Sequence, residues 1–150
     1  MTSTPTTSND MYQDEIVTLA KSKTGAQRLE NPDATVTLDN PLCGDRVTLD
    51  VNVADGKIMA VGHRVRGCML CEASASLVAR DAIGTDTDSI APARDKLEAL
   101  LKKGAEVSGD DPWSTVTTFG PVAEFKSRHE CVLLPFEALG KAVEQAEDKD

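Results

Sequence analysis

The sequence predicts an α+β domain, a small three-stranded antiparallel sheet with helices packed on one face, and three observations carry that expectation. Val47, Leu49, Val51 and Val53 alternate with Thr48, Asp50 and Asn52, the period of a half-buried strand. Asp55-Gly56 follows as a two-residue hairpin signal, because so tight a turn demands positive backbone angles. Helical spacing then takes over, with Leu70, Ala73, Leu77 and Val78 on one side. Hairpin-linked strands followed by helices give a sheet covered on one face.

The elements follow in order. Residues 1–9, rich in Thr, Ser and Pro, read as a flexible leader, residues 10–146 as one domain and residues 147–150 as an acidic tail. Met11 to Ser22 predicts a short helix, with Ile16, Leu19 and Ala20 at helical spacing and Asp14 and Glu15 in its early turns. A polar connection from Lys23 to Pro32 leads to a short strand over Ala34 to Leu38, and Lys57 to Arg66 is the second strand of the hairpin. The helix containing Leu70 stops near Gly84, and Asp81 to Asp88 reads as a polar break. Ala93 to Lys103 is a further helix with Leu97, Leu100 and Leu101 inward and Gly104 ending it. Residues 105–126 read as loop with short ordered pieces. Val132, Phe136, Leu139 and Val143 define a last helix, in which Pro135 fits only in the first turn.

Charge and composition narrow the function. The formal net charge is -9, from 25 acidic and 16 basic residues, which works against binding a nucleic-acid backbone. No apolar stretch is long enough to span a bilayer, and the start lacks the basic-then-apolar signal pattern, so the expected setting is the cytoplasm, with no membrane partner. Cys43, Cys68, Cys71 and Cys131 are then expected as thiols or metal ligands rather than a disulfide framework.

In Cys43-Gly44-Asp45, glycine lets a short loop aim a thiol and a carboxylate at one point. Cys68 closes a strand and opens a helix, and Cys131 precedes another. Helix starts favour thiolate through their free N–H groups and partial positive charge. Three thiolates and a carboxylate around a divalent ion sum to -2, and Arg64, Arg66 and Arg128 lie nearby in sequence. The spacing alone leaves open both a metal site and cysteines that are simply buried.

Pro32-Asp33-Ala34-Thr35-Val36, Asn40-Pro41-Leu42-Cys43-Gly44-Asp45, Gly67-Cys68 followed by Ala73-Ser74-Ala75-Ser76-Leu77, and Arg128 three before Cys131 resemble the U-type iron–sulfur assembly family. The resemblance runs in order over roughly residues 11–145. Within the family, the long stretch between Cys68 and Cys131 is similar to the SufU type. Glu130 stands where the IscU and NifU scaffold type has histidine. The resemblance implies a zinc site of Cys43, Asp45, Cys68 and Cys131, with Arg128 in support. It also implies acceptance of persulfide sulfur from a SufS-type cysteine desulfurase for downstream iron–sulfur assembly proteins. Cys43 is the expected sulfur acceptor, and the protein a sulfurtransferase-like partner rather than a free-standing enzyme. The alternative is a scaffold that assembles and transfers an iron–sulfur cluster on the same ligands.

The remaining candidates have plainer readings. Cys71 is expected as a small packed residue, with a Cys68–Cys71 redox pair as the competing role. His63 is expected on a strand face, and His129 either behind the metal ligands or on the surface. Glu130 is expected as a solvated carboxylate. Ser74 and Ser76 would allow close helix packing, and Trp113 would anchor core or loop.

Overall fold

The computed structural model describes residues 14–42 and 44–148. The chain runs α1 (Asp14–Ser22), β1 (Ala34–Asn40), β2 (Asp45–Ala54), β3 (Lys57–Arg66), α2 (Met69–Ala82), α3 (Ile90–Lys103) and α4 (His129–Asp148). Short 3-10 segments stand before α3 at Thr87–Ser89 and before α4 at Ser114–Glu124 and Lys126–Arg128. The expected leader and residues 11–13 of the first helix lie outside the described residues.

The strands form one sheet in the order β1-β2-β3, antiparallel throughout. Asp55 and Gly56, both at positive φ, make the β2–β3 turn as expected. Alternation then decides the faces. Val47, Leu49 and Val51 are fully buried on one face, where α4 crosses β1 and β2 while α2 lies against β3 and α1 packs on α2. α4 supplies Val132, Leu133, Phe136 and Leu139 to this core, each contributing about 1.5–3 kcal/mol by leaving water. Trp113 meets Phe136 edge-on with ring centroids 5.6 Å apart, so it anchors the 3-10 region to α4.

The other face is partly closed by the connection after α1, which wraps the β3 edge. The Gly25 carbonyl accepts the His63 N–H at 2.8 Å. Farther along, Arg28 reaches the fully buried Asp50 through Nε at 2.7 Å and Nη2 at 3.0 Å. Asp50 also accepts the Leu29 N–H and the Thr35 hydroxyl. Burial raises the Asp50 pKa, but hydrogen bonds from Arg28, Thr35 and Leu29, with the guanidinium charge, outweigh it and hold the carboxyl below its usual range. Gly62 permits the wrap, since a Cβ there would lie 2.4 Å from the Gln27 carbonyl oxygen.

Several boundaries differ from expectation, among them the end of β1, which runs on to Asn40. α3 starts at Ile90 rather than Ala93, because Pro92 falls in its first turn, where a missing N–H costs nothing. α4 starts at His129, which puts Cys131 inside its first turn rather than ahead of the helix. Pro135 is consequently in the second turn, not the first, and cannot donate to the Cys131 carbonyl. Asp81 belongs to α2 rather than to the polar break, paired with Arg80 and hydrogen-bonded by Thr115. The acidic run from Glu144 to Asp148 is helical, and Glu147 accepts a hydrogen bond from Thr87. Among the described residues, no helix is long and apolar enough to cross a membrane.

Candidate metal centre

One end of the sheet gathers the chemistry, because β1 ends there, β2 begins there and β3 ends there. Asp45 opens β2, Cys68 stands at the N-cap of α2 just beyond β3, and the first turn of α4 brings Cys131. One ligand atom from each of these three residues lies within 4.8 Å of the other two. Asp45 and Cys131 are buried and Cys68 is partly exposed, so the cluster has one open side.

The Asp45 carboxylate is aimed by α2. It accepts the Cys68 N–H at 3.0 Å and the Cys68 thiol at 3.5 Å. Gly67 makes that approach possible, since a Cβ at this position would sit 2.3 Å from Asp45 Oδ1 and 2.7 Å from its carboxyl carbon.

The Cys68 thiol is drawn down to about 7, first by a hydrogen bond from Cys131 and then by the N–H groups of Cys71 and Leu70 at the start of α2. Burial and the nearby Asp45 charge oppose the shift. The direction of the shift favours the thiolate, the form in which cysteine binds metals.

Asn40 holds both flanks of the loop between β1 and β2. Its Oδ1 accepts the Leu42 N–H at 3.1 Å and its carbonyl accepts the Gly44 N–H at 2.8 Å. Cys43, the expected sulfur acceptor, lies outside the described residues. The structure thus brings together Asp45, Cys68 and Cys131, and places the described neighbours of Cys43 at the same end of the sheet.

Arg64 and Arg66 are exposed on the sheet, and Arg128 is half-buried in the 3-10 turn leading into α4. His129 is not on the surface: it is buried with Nε2 2.9 Å from the Ala123 carbonyl. Glu130 is partly exposed and 3.6 Å from Lys102. Cys71 is wholly buried in the core, as expected of a packed residue. His63 is buried on β3, its Nε2 2.8 Å from the Thr24 carbonyl, and burial pushes its pKa down. The hydroxyl of Ser74 donates to the Val132 carbonyl, so Ser74 does more than allow close packing.

Two contributors escaped the sequence reading. Gly67 was legible only as part of a motif, because the carboxylate it makes room for comes from a different strand. Asn40 had a local signal, an Asx turn two residues ahead of Leu42.

Two thiols and a carboxylate at this spacing are a donor set that suits tetrahedral zinc, and in the sequence Cys43 stands two residues before Asp45. Thiolates of this kind equally suit iron–sulfur clusters.

Residues 11–145 match the family described as the NifU-like N terminal domain. The chain is 28% identical over 137 residues to the iron-sulfur cluster assembly scaffold protein IscU of Thermotoga maritima, covering 90% of this chain and 94% of that protein. It is 26% identical over 117 residues to the zinc-dependent sulfurtransferase SufU of Bacillus subtilis, covering 78% of this chain and 79% of that protein. The crystal structure of a NifU-like N-terminal protein from Brucella abortus superposes with a TM-score of 0.89 at 32% identity, covering 97% of this chain and 100% of that one. That of a putative iron-sulfur cluster assembly scaffold protein for the SUF system (FiSufU) from Fervidobacterium islandicum gives 0.82 at 26%, covering 91% and 98%.

Proposed function

The chain belongs to the NifU-like N-terminal domain family, and from that premise we propose that it is an iron–sulfur cluster assembly protein whose particular task is zinc-dependent sulfur transfer. The observation that carries the reading is the convergence of Asp45, Cys68 and Cys131 within 4.8 Å beside the loop that contains Cys43. In this reading Cys43, Asp45, Cys68 and Cys131 hold the zinc. Bound zinc keeps its thiolate ligands deprotonated. Arg128 offsets part of the formal -2 charge of that ligand set.

The sulfur donor is the persulfide of a SufS-type cysteine desulfurase, and the setting is the cytoplasm. The Cys43 thiolate, released from the site, attacks the outer sulfur of that persulfide. A new S–S bond forms on Cys43 as the donor's S–S bond breaks, and the donor cysteine leaves as thiolate, so no further oxidant or reductant is needed. Cys43 then offers the sulfur to downstream iron–sulfur assembly proteins. The relative from Bacillus subtilis, named as a zinc-dependent sulfurtransferase, supports this choice.

A second reading has its own support in the IscU relative that covers 90% of this chain. There the same residues carry an iron–sulfur cluster as cargo and pass it on. Protein purified without oxygen separates the two: one zinc and no visible absorbance fits the relay, whereas iron, sulfide and a brown colour fit the scaffold. Mass spectrometry after incubation with a SufS-type desulfurase and cysteine tests the relay directly. Added sulfur on Cys43 is expected, and its absence from every cysteine sinks the reading.

A further inference from the structure

The end of the sheet that carries the site is also where this acidic chain reverses its surface charge. Arg64 and Arg66 alternate along β3 and are exposed on the face turned away from the helices, with Arg66 in register with Arg46 and Arg64 with Thr48. Arg46 is engaged by Asp39 at 2.6 Å, but among the described residues neither Arg64 nor Arg66 has an ion-pair partner. Asp39 offsets the charge of Arg46, which leaves Arg64 and Arg66 as the cations of this face without a carboxylate among the described residues. A cleft of about 460 Å³ is lined by Asp39, Gly44, Arg46, Arg66 and Gly67, and so reaches the chain neighbours of Asp45 and Cys68. Beside it Leu42 is 90% exposed, and the bond from its N–H to Asn40 fixes the backbone that presents it.

We propose that Leu42 and the arginine face of β2 and β3 form a docking surface for the sulfur-donating enzyme, which meets them with an apolar socket rimmed by carboxylates. The proposal rests on the sulfur-transfer reading for the identity of that partner. All three cations are arginines, whose planar fork takes a carboxylate in two hydrogen bonds, and Arg46 and Arg66 line the cleft together with Gly44 and Gly67, the chain neighbours of Asp45 and Cys68. The occupant follows from the rest of the surface. An extended polyanion, such as RNA or an anionic membrane, would overrun the patch and meet a chain with 25 acidic residues against 16 basic ones. A small free anion would leave Leu42 unused. A folded partner with a local acidic patch uses both features.

The test measures binding of the full-length zinc-loaded protein to a SufS-type desulfurase over a range of salt concentrations. Arg64→Glu with Arg66→Glu is expected to weaken binding about tenfold or more and to flatten its salt dependence. Arg64→Gln with Arg66→Gln is expected to give a smaller loss in the same direction. Leu42→Ser is expected to weaken binding about fivefold with the wild-type salt dependence retained. Lys141→Glu, on the exposed side of α4, is expected to bind as wild type. Wild-type affinity in both arginine pairs overturns the docking surface while leaving sulfur transfer intact. No binding by the wild-type protein overturns both. Arginine-dependent binding without sulfur on Cys43 upholds the surface and sinks the relay. Arginine-dependent binding to single-stranded RNA or to phosphatidylglycerol vesicles, with none to the desulfurase, overturns the choice of partner.

Discussion

The Ser74 hydroxyl donates to the Val132 carbonyl at 2.6 Å, tying the middle of α2 to the opening turns of α4. Each helix carries one thiol of the cluster at its start, Cys68 on α2 and Cys131 on α4, so this buried bond fixes the distance between them. It also lies one turn from Pro135, where α4 lacks its normal N–H donor. Ser74→Ala is expected to cost about 1–3 kcal/mol, because the lost donor sits in a fully buried place. Thermal unfolding should fall by several degrees, and competition with a chromogenic chelator should show weaker zinc binding. Lost stability with unchanged zinc affinity would confine the bond to packing.

Gly67→Ala addresses the carboxylate instead of the thiols. The added methyl would start 2.3 Å from Asp45 Oδ1, so the carboxylate has to leave its place against the Cys68 N–H. Asp45 is buried, and its displacement disturbs one ligand while the core of the sheet and helices stays in place. Zinc affinity is expected to fall about tenfold or more, the scale seen when the support of a ligand is removed. Circular dichroism should remain that of the folded protein. Unaltered zinc affinity would mean that Asp45 is not a ligand.

These two contacts mark the limit of what was legible in the sequence. The alternation of Val47, Leu49 and Val51, the Asp55-Gly56 turn and the run to Arg66 are local patterns, and the sheet follows them closely. The resemblance also implied one site of Cys43, Asp45, Cys68 and Cys131, and the structure brings the last three of these together. Neither the pairing of Ser74 with Val132 nor that of Gly67 with Asp45 has a local signature, since each joins residues that only tertiary packing brings together. The same holds for Arg28 with Asp50, which turned a polar connection into a strap. Pro135 was misplaced for a related reason: the core contacts of α4 tolerate a missing hydrogen bond that local propensity would forbid.

His63 and Asp50 divide the pH dependence of stability into two windows. Burial, aided by the charge of Lys23, lowers the His63 pKa below its ordinary 6.5 against the opposing Thr24 carbonyl and Glu72. The unfolded chain therefore takes up that proton first, and stability falls as pH drops below about 6.5 until the folded pKa is passed. His63→Phe should abolish this slope in urea titrations between pH 7 and 5.

Asp50 acts lower on the scale. Burial opposes ionisation, but the bonds from Arg28, Thr35 and Leu29 prevail and keep its pKa beneath the ordinary 3.8. Its stabilisation is full above that value and is lost as pH falls through the folded pKa. Asp50→Asn should remove this acid-range loss and cost about 2–4 kcal/mol at neutral pH. The low end is expected because Arg28 is half-exposed and stays hydrated. An unchanged acid transition in this variant would assign the loss to other carboxylates.

The reactivity of Cys68 gives the most direct access to the site. Its thiol is brought to about 7 chiefly by the hydrogen bond from Cys131, with the N–H groups of Cys71 and Leu70 assisting. In metal-stripped Cys43→Ala protein, which leaves Cys68 as the partly exposed thiol beside the buried Cys71 and Cys131, alkylation by iodoacetamide should rise with a midpoint near pH 7. Cys131→Ala removes the largest cause of the shift and should move the midpoint toward the ordinary 9.0. Adding zinc should slow alkylation at every pH, because a metal-bound sulfur is a poorer nucleophile than the free thiolate. The three results bear on different claims: the first midpoint tests the local electrostatics, the Cys131 variant tests the contact, and zinc protection tests ligation. If chelator competition shows that the Cys43→Ala protein binds zinc and the reactivity is still indifferent to it, Cys68 leaves the ligand set even if both midpoints come out as expected.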